Sequence, residues 1–398
     1  MPQKIYIAAK GIITALGNNL SENKKALFES KDTIDVLSRL KTNHQLPAAE
    51  IQFSNEELAQ RVGLEATITR TALLSMLAAK EAFDNFDLEN KMSFKGGFIS
   101  SNTVGGMDKS EDFIIDFLQD QSMGKLHQII HHDSGASSEI VADKLGIKDV
   151  VSTISTACSS AANAIIYASR LIRHGQLDWC IAGGTDSLSR FTVNGFNSLM
   201  ILDKNKCRPF DDTREGLNLG EGAGYVVLVS EAIADMMKSK PTIYLAGYCN
   251  ANDAYHQTAS SPEGIGNYMA MQGALKNAGL SPSDIDYINL HGTGTQNNDS
   301  SEAAAIERLF GENIPPYSST KSMTGHTLAA CGAIEAIFSA MTLEENLLPN
   351  SLRFSQQMAG TKTIPTTSSL SKKVQHAMSN SFGFGGNCST LIFSKTTI

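Results

Sequence analysis

Residues 150–169, VVSTISTACSSAANAIIYAS, carry no charge in a chain whose composition is 19% charged. Val150 to Thr156 alternate and are rich in β-branched side chains, which predicts a strand. Beyond them, Ala157, Ala161, Ala162, Ala164 and Ala168 surround Ile165 and Ile166 and predict a helix apolar on nearly every side. Small residues let neighbouring backbones approach closely, so this helix belongs in the middle of the molecule. Ser, Thr and Asn interrupt it too often for a membrane span. Cys158 then falls at a strand-to-helix turn, on the first turn of a buried helix. Unpaired N–H groups and the helix dipole favour a thiolate there. The same position also suits an inert buried thiol, the ordinary fate of this residue type.

At 398 residues the chain is long enough for two domains or two fused halves. A net charge of −8 lacks the basic surplus that a phosphate-binding face needs, so nucleic acid is not the expected ligand. The six cysteines (158, 180, 207, 249, 331 and 388) are scattered, with no Cys-x-x-Cys pair and no clustering with His. Free thiols in a reducing cytosol fit that pattern better than disulfides or zinc. The opening MPQKIYIAAKGIITALG has no long apolar run before a small-residue cleavage site, and it predicts a first strand and a cytoplasmic protein.

Read in order, the chain restarts. Thr242–Gly247 echoes Lys4–Ala9, and Tyr268–Ala278 echoes the alanine-rich helix over Arg70–Phe86. The strand Tyr287–Leu290 runs into His291-Gly292-Thr293-Gly294-Thr295 where Gly96–Ser100 ran into Ser101–Gly106. Thr324–Ile337 repeats Thr156–Ile166 as a second small-residue helix, and Phe382–Gly386 repeats the glycine run Gly220–Gly224 before a strand. That run precedes a strand, whereas a dinucleotide fingerprint follows one. Two similar α/β halves, roughly 1–240 and 241–398, are therefore expected with no linker between them. If they stack symmetrically, the turns bearing Cys158, His291, His326 and Phe384 face one cleft. Residues 107–149 read as charged surface helices, with His131-His132-Asp133 as a solvated loop, since adjacent histidines chelate poorly.

Taken singly, His291 and His326 could be structural or functional. Lys321, in a segment with no other charge, and Glu335 could be two surface groups or a buried pair that stays ionised by mutual neutralisation.

Thr156-Ala157-Cys158-Ser159-Ser160, His291–Thr295, Ser319–His326 and Asn380–Gly386 together resemble the elongating β-ketoacyl-[acyl-carrier-protein] synthases, condensing enzymes of the thiolase superfamily. The likeness runs the whole chain in the family's order and takes in Arg208–Asp211 and Gly220–Gly224. It implies a thiolase-like five-layer αβαβα sandwich of two pseudo-symmetric halves. It implies decarboxylative Claisen condensation of a Cys158-bound acyl chain with a malonyl-carrier protein, for fatty-acid or specialised polyketide or polyene synthesis. By resemblance His291 and His326 serve decarboxylation, and Lys321 with Glu335 orients the histidine network. The N–H groups of Cys158 and Phe384 form the oxyanion hole, and Phe384 gates the acyl pocket. The resemblance further implies a homodimer, or a heterodimer with a related subunit. It implies no cofactor beyond the phosphopantetheine of the acyl carrier protein, and no metal, nucleic acid or membrane at the reaction. Arg61, Arg70, Lys204, Lys206 and Arg208 are the candidates for docking that acidic carrier.

The chain also departs from the family. Asn387-Cys388 stands where Thr-Asn is usual, which bears on a monovalent-cation site. Arg214-Glu215-Gly216-Leu217 replaces Arg-Asp-Gly-Phe, and Met200 stands where some relatives carry an arginine for the carrier. Residues 121–149 match the family poorly. Other readings are a thiolase-type acyltransferase, an initiating synthase, a Cys hydrolase, or a non-catalytic chain-length partner. A thiolase needs a second cysteine where Phe382-Gly383-Phe384 stands, an initiating synthase has Cys–His–Asn, and a chain-length partner lacks the nucleophile.

Overall fold

The computed structural model describes residues 3–362 and 364–396. Five strands of the main sheet come from the first part of the chain: β1 (Ile5–Thr14), β2 (Gly96–Ser101), β3 (Val150–Ile154), β4 (Trp179–Asp186) and β5 (Gly222–Ser230). Five more follow: β6 (Ile243–Asn252), β7 (Tyr287–Asn289), β8 (Tyr317–Ser318), β9 (His376–Phe382) and β10 (Asn387–Lys395). The first set lies in the order β1-β5-β4-β2-β3, and the second in the order β6-β10-β9-β7-β8. Their senses match as well. The first two pairings of each set are antiparallel and the last two parallel. The repeat is therefore one of topology, not only of composition.

A short antiparallel contact, Ile5 opposite Leu245 and Tyr6 opposite Tyr244, joins β1 to β6 and makes one ten-stranded sheet of the two sets. Between its halves lie α4 (Ser160–Arg173) and α8 (Cys331–Glu345), sharing one apolar core with both. On the outer faces, α1 (Arg70–Asp84) and α3 (Ser134–Leu145) cover the first half, while α6 (Ile265–Ala278) and α7 (Gln296–Phe310) cover the second. Each half-sheet is thus covered on both faces, and its strands are hydrophobic on both. In β5, Val226 and Leu228 enter the central core, while Tyr225, Val227 and Val229 enter the outer one. The layers run helix, sheet, helix, sheet, helix, which is the five-layer thiolase-like sandwich.

The small residues of the two central helices are needed for contact. A Cβ on Gly332 would stand 2.8 Å from the backbone nitrogen of Ala162. Both helices start later than their composition predicts. Ala157 adopts a left-handed φ of 52°, so α4 begins at Ser160 and Cys158 sits in the turn before it. Gly325 (φ 62°) and Leu328 (φ 52°) break the second helix, which starts at Cys331 and leaves His326 in a loop. The segment after β2 also differs from the charged surface expected of it. In α2 (Met107–Gln119) and the turn beyond, Ile114, Leu118, Leu126 and Ile130 are exposed, Leu118 at 77%. Among the described residues no helix is long and apolar enough to cross a membrane.

Candidate active site

The strained turn at Ala157 lifts the thiol of Cys158 out of the helix that follows and aims it at the second half of the chain. Nε2 of His326 lies 3.1 Å from Cys158 Sγ. The rings of His291 and His326 meet edge to face with centroids 5.4 Å apart. All three line one cavity of about 260 Å³ that also carries Phe384. The sulfur of one half and two imidazoles of the other thus share one opening.

Ring-nitrogen partners decide what the imidazoles can do. The backbone N–H of Leu328 donates to His326 Nδ1 at 3.1 Å. The ammonium of Lys321, which has no lone pair to offer, lies 3.3 Å from His291 Nδ1 and donates to the His291 carbonyl at 2.7 Å. With each Nδ1 accepting, each Nε2 carries the proton, and both N–H groups belong to the cavity side. Burial first, then the Lys321 charge, holds both imidazoles well below their ordinary range, so they are neutral. The sulfur and the two imidazoles offer donor atoms within 4.8 Å of one another, close enough for a metal ion. A nitrogen that bears a proton has no lone pair for a metal, however, so the set suits a developing oxyanion instead.

Lys321 and Glu335 are 1% and 2% exposed and form a direct ion pair, the buried alternative of the two left open by the sequence. Burial opposes the Lys321 charge, but Glu335 outweighs it and holds the ammonium above its usual range. The thiol behaves contrary to the simple helix-terminus expectation. Burial pushes Cys158 up to about 11, against the pull of Lys321 and of the N–H groups of Phe384 and Cys158 itself. Both N–H groups lie close enough to the sulfur to act on it, near where an acyl carbonyl oxygen would need them. Gly383 permits this approach, because a Cβ there would lie 3.0 Å from the Cys158 nitrogen. The Phe384 ring stacks on Phe196, centroids 6.3 Å apart and planes 17° from parallel. Both rings line the entrance cavity and a second one, so Phe384 stands where a gate would.

Three supporting groups escaped the sequence reading. Glu302, fully buried on α7, accepts the N–H groups of His291 and Gly292 and the amide of Asn380. Asp186, at the end of β4, accepts from Thr103, Val104 and Ala329, tying the loop after β2 to the turn after His326. Asn218 and Gly220 hold the His326 backbone through both its N–H and its carbonyl. A Cβ on Gly220 would lie 2.1 Å from the Thr324 carbonyl, which accounts for the first glycine of that run. An acid closing an otherwise uncharged strand (WCIAGGTD) and one on the alanine-lined face of α7 were the available signals.

Buried oxygens without a partner occur on the elements that carry the site. Asn289 Oδ1 and Ser379 Oγ belong to residues facing each other across the β7–β9 ladder, and Glu335 Oε2 lies beyond the Lys321 contact. An all-oxygen set suits a hard monovalent cation of the kind the family resemblance raised. Neither Asn387 nor Cys388 is among these atoms; Cys388 Sγ instead bonds Asn267.

The docking candidates fare unevenly. Arg70 must be withdrawn. It is 1% exposed, clamps Glu221 through Nε and Nη2, and donates to the carbonyls of Ile51 and Phe53. A guanidinium spent on a buried carboxylate has nothing left for a partner. Arg208 leans on Asp203 at 3.7 Å with its side chain 25% exposed. Lys206 pairs with Asp32 at 2.9 Å, Arg61 stacks on Phe53, and Lys204 is exposed. None of the five lines the entrance to Cys158, where Met200 stands 89% exposed beside Glu215.

Two seamed half-sheets around a Cys–His–His centre define a condensing enzyme of the thiolase superfamily. Comparison narrows the class. Residues 3–234 match the family "Beta-ketoacyl synthase, N-terminal domain" and residues 243–355 match "Beta-ketoacyl synthase, C-terminal domain". The chain belongs to the β-ketoacyl synthases. It is 31% identical to 3-oxoacyl-[acyl-carrier-protein] synthase 2 of Staphylococcus aureus (strain COL), over 99% of this chain and 98% of that one. The same enzyme of Rhizobium meliloti (strain 1021) is 42% identical over 62% of this chain and 61% of its own. Among solved structures, a chain of "Ketosynthase (ApeO) in Complex with its Chain Length Factor (ApeC) from Xenorhabdus doucetiae" is 33% identical. Its TM-score is 0.87, over 99% of this chain and 98% of that one. The ishigamide ketosynthase/chain length factor superposes at a TM-score of 0.94 with 25% identity, over the whole of both chains.

Proposed function

We propose that this protein extends an acyl chain by decarboxylative condensation, taking both substrates from phosphopantetheine on an acyl carrier protein. In the first half-reaction Cys158 attacks the acyl thioester. Its proton passes to the departing pantetheine thiolate, and the Cys158 and Phe384 N–H groups hold the oxyanion. In the second, a malonyl thioester enters. As carbon dioxide leaves, charge builds on the thioester oxygen between the Nε2–H groups of His291 and His326. The enolate carbon then attacks the Cys158 acyl carbonyl, forms the new carbon–carbon bond and expels the thiolate, which regains a proton. No redox cofactor enters this scheme. A monovalent cation held by Asn289, Ser379 and Glu335 would supply only fixed positive charge beside the Lys321 pair.

The observation that carries this reading is the pair of locked Nδ1 atoms, which turns two histidines into two donors facing one nucleophile. Intact-mass measurement after mixing with an acyl-carrier protein is expected to show an acyl adduct on wild type and none on Cys158→Ala. His326→Ala should keep the adduct but release carbon dioxide from malonyl-carrier protein some 10²–10³-fold more slowly, the loss ordinary for one oxyanion donor. An adduct on Cys158→Ala, or full carbon dioxide release without His326, would overturn the assignment.

The reading includes a second chain of the same fold. Strand β3 is a half-exposed edge with Val151 38% exposed, and an uncovered edge with apolar side chains is a pairing surface. The ketosynthases named above occur with a chain length factor, so the second chain is either a copy or a related subunit.

A further inference from the structure

At the end of the molecule away from Cys158, the seam between β1 and β6 opens. Its pairing stops at Ile5 opposite Leu245, and the segments beyond, Gln3-Lys4 on one side and Ala246 on the other, border a cavity of about 200 Å³. Arg173, the last residue of α4, and His376, the first of β9, also line it, with Asn277 from the end of α6. Phe384 follows the far end of β9, so the 7 residues of that strand hold the cavity about 20 Å from the active site.

The polar groups around this cavity are donors in want of acceptors. Arg173 Nε is buried without a partner, and the guanidinium makes one long contact, from Nη1 to the Tyr248 hydroxyl at 3.4 Å. Lys4 Nζ lies 4.7 Å from the centre of the Tyr244 ring. The Asn277 amide oxygen accepts the Tyr248 N–H, which leaves its NH2 uncommitted, and His376 meets Ser394 through Nδ1 alone. No carboxylate lines the cavity, and among the described residues neither Lys4 nor Arg173 forms an ion pair. Asp286, beside His376, is occupied by the N–H groups of Gln375 and His376. In a chain of net charge −8, two cations without a counter-ion at one small cavity are not what chance placement of charge would give. The remaining wall is apolar, with Tyr244, Leu245, Ala246 and Leu280.

We propose that this cavity binds a small phosphate monoester, its dianion between Arg173 and Lys4 and its organic body against Tyr244, Leu245 and Leu280. The unpartnered Nε and Nη2 of Arg173 form the planar fork that grips two phosphate oxygens, and the ammonium of Lys4 answers the second charge. A monoanionic carboxylate would satisfy the fork and leave Lys4 without a counter-ion. The site is separate from the condensation proposed above and does not depend on it.

The test is equilibrium dialysis of the full chain at fixed ionic strength against phenyl phosphate, inorganic phosphate or benzoate. Phenyl phosphate is expected to bind one to one, inorganic phosphate at least fivefold more weakly, and benzoate at least tenfold more weakly. Arg173→Gln and Lys4→Gln should each weaken phenyl phosphate at least tenfold, while Lys276→Gln, at an exposed lysine outside the cavity, should leave it unchanged. Lys4→Gln carries the test if Arg173→Gln lowers the melting temperature. Both variants should still take an acyl group on Cys158, so the outcome is independent of the condensing function. Inorganic phosphate bound as tightly as its phenyl ester would overturn the organic ligand. Binding untouched by either substitution, or no retention at about 10 mM, where a Kd of 1 mM would give near saturation, would overturn the site.

Discussion

Cys158 illustrates how local environment sets chemistry at the scale of one residue. Position at a helix start favours a thiolate, yet complete burial dominates and pushes the thiol up to about 11. Alkylation of the resting protein by iodoacetamide should therefore keep climbing through the alkaline range, and a plateau reached by neutral pH would contradict the burial argument. Lys321 shows the complementary case of a charge that burial makes indispensable. Lys321→Met leaves the Glu335 carboxyl buried without its counter-ion, its Oε2 already lacking a partner, and is expected to destabilise the fold by roughly 3–5 kcal/mol. Lys321→Met combined with Glu335→Leu should recover most of that loss in denaturant melts without restoring condensation, because His291 Nδ1 still lacks its donor. Recovery of activity in the double variant would show that Lys321 only supports the fold.

The turns between elements carry more of the site than the elements do. Asp186 accepts hydrogen bonds from two segments that wall the cavities, and burial raises it from 3.8 to about 6. A carboxyl raised in the folded state binds protons more tightly there than in the unfolded chain. Stability from this group is thus full below 3.8 and falls as pH rises from there to about 6. Asp186→Asn should lower the melting temperature overall, through a lost acceptor, yet flatten its decline across that window. An unchanged slope would place the pH dependence elsewhere. Glu302 and Asp186 could not be found by motif, since each acts through backbone N–H groups that only the folded chain brings to it. Cys158 and His291 stood out because small residues flank each one where a strand runs into a turn, whereas His326, in a loop before α8, was legible only through the run Ser319–His326 that resembles the family. Arg70 was misread for the opposite reason. Its charge looked like surface, and nothing near it in sequence announces Glu221.

The whole molecule was legible as a repeat. Echoes too weak to weigh alone fell in one order, and the two strand sets reproduce that order with the same senses. The seam between β1 and β6, which makes a single sheet, left no mark in the sequence beyond two apolar strand starts. The exposed apolar run over Ile114–Ile130 was masked by acids interspersed along α2. Its large side chains would aggregate if left to water, and the open edge of β3 adds unpaired backbone groups. Both features are expected to be covered by a second chain of this fold. At micromolar concentration the protein should sediment at twice its 42.7 kDa mass, and Leu118→Asp with Ile130→Asp should return it to a monomer of unchanged far-UV dichroism. A wild-type chain that stays monomeric and disperse would assign those surfaces to a related subunit. The cavity that runs from Cys158 along helix α5 (Arg190–Ser198) would then gain its outer wall from that subunit.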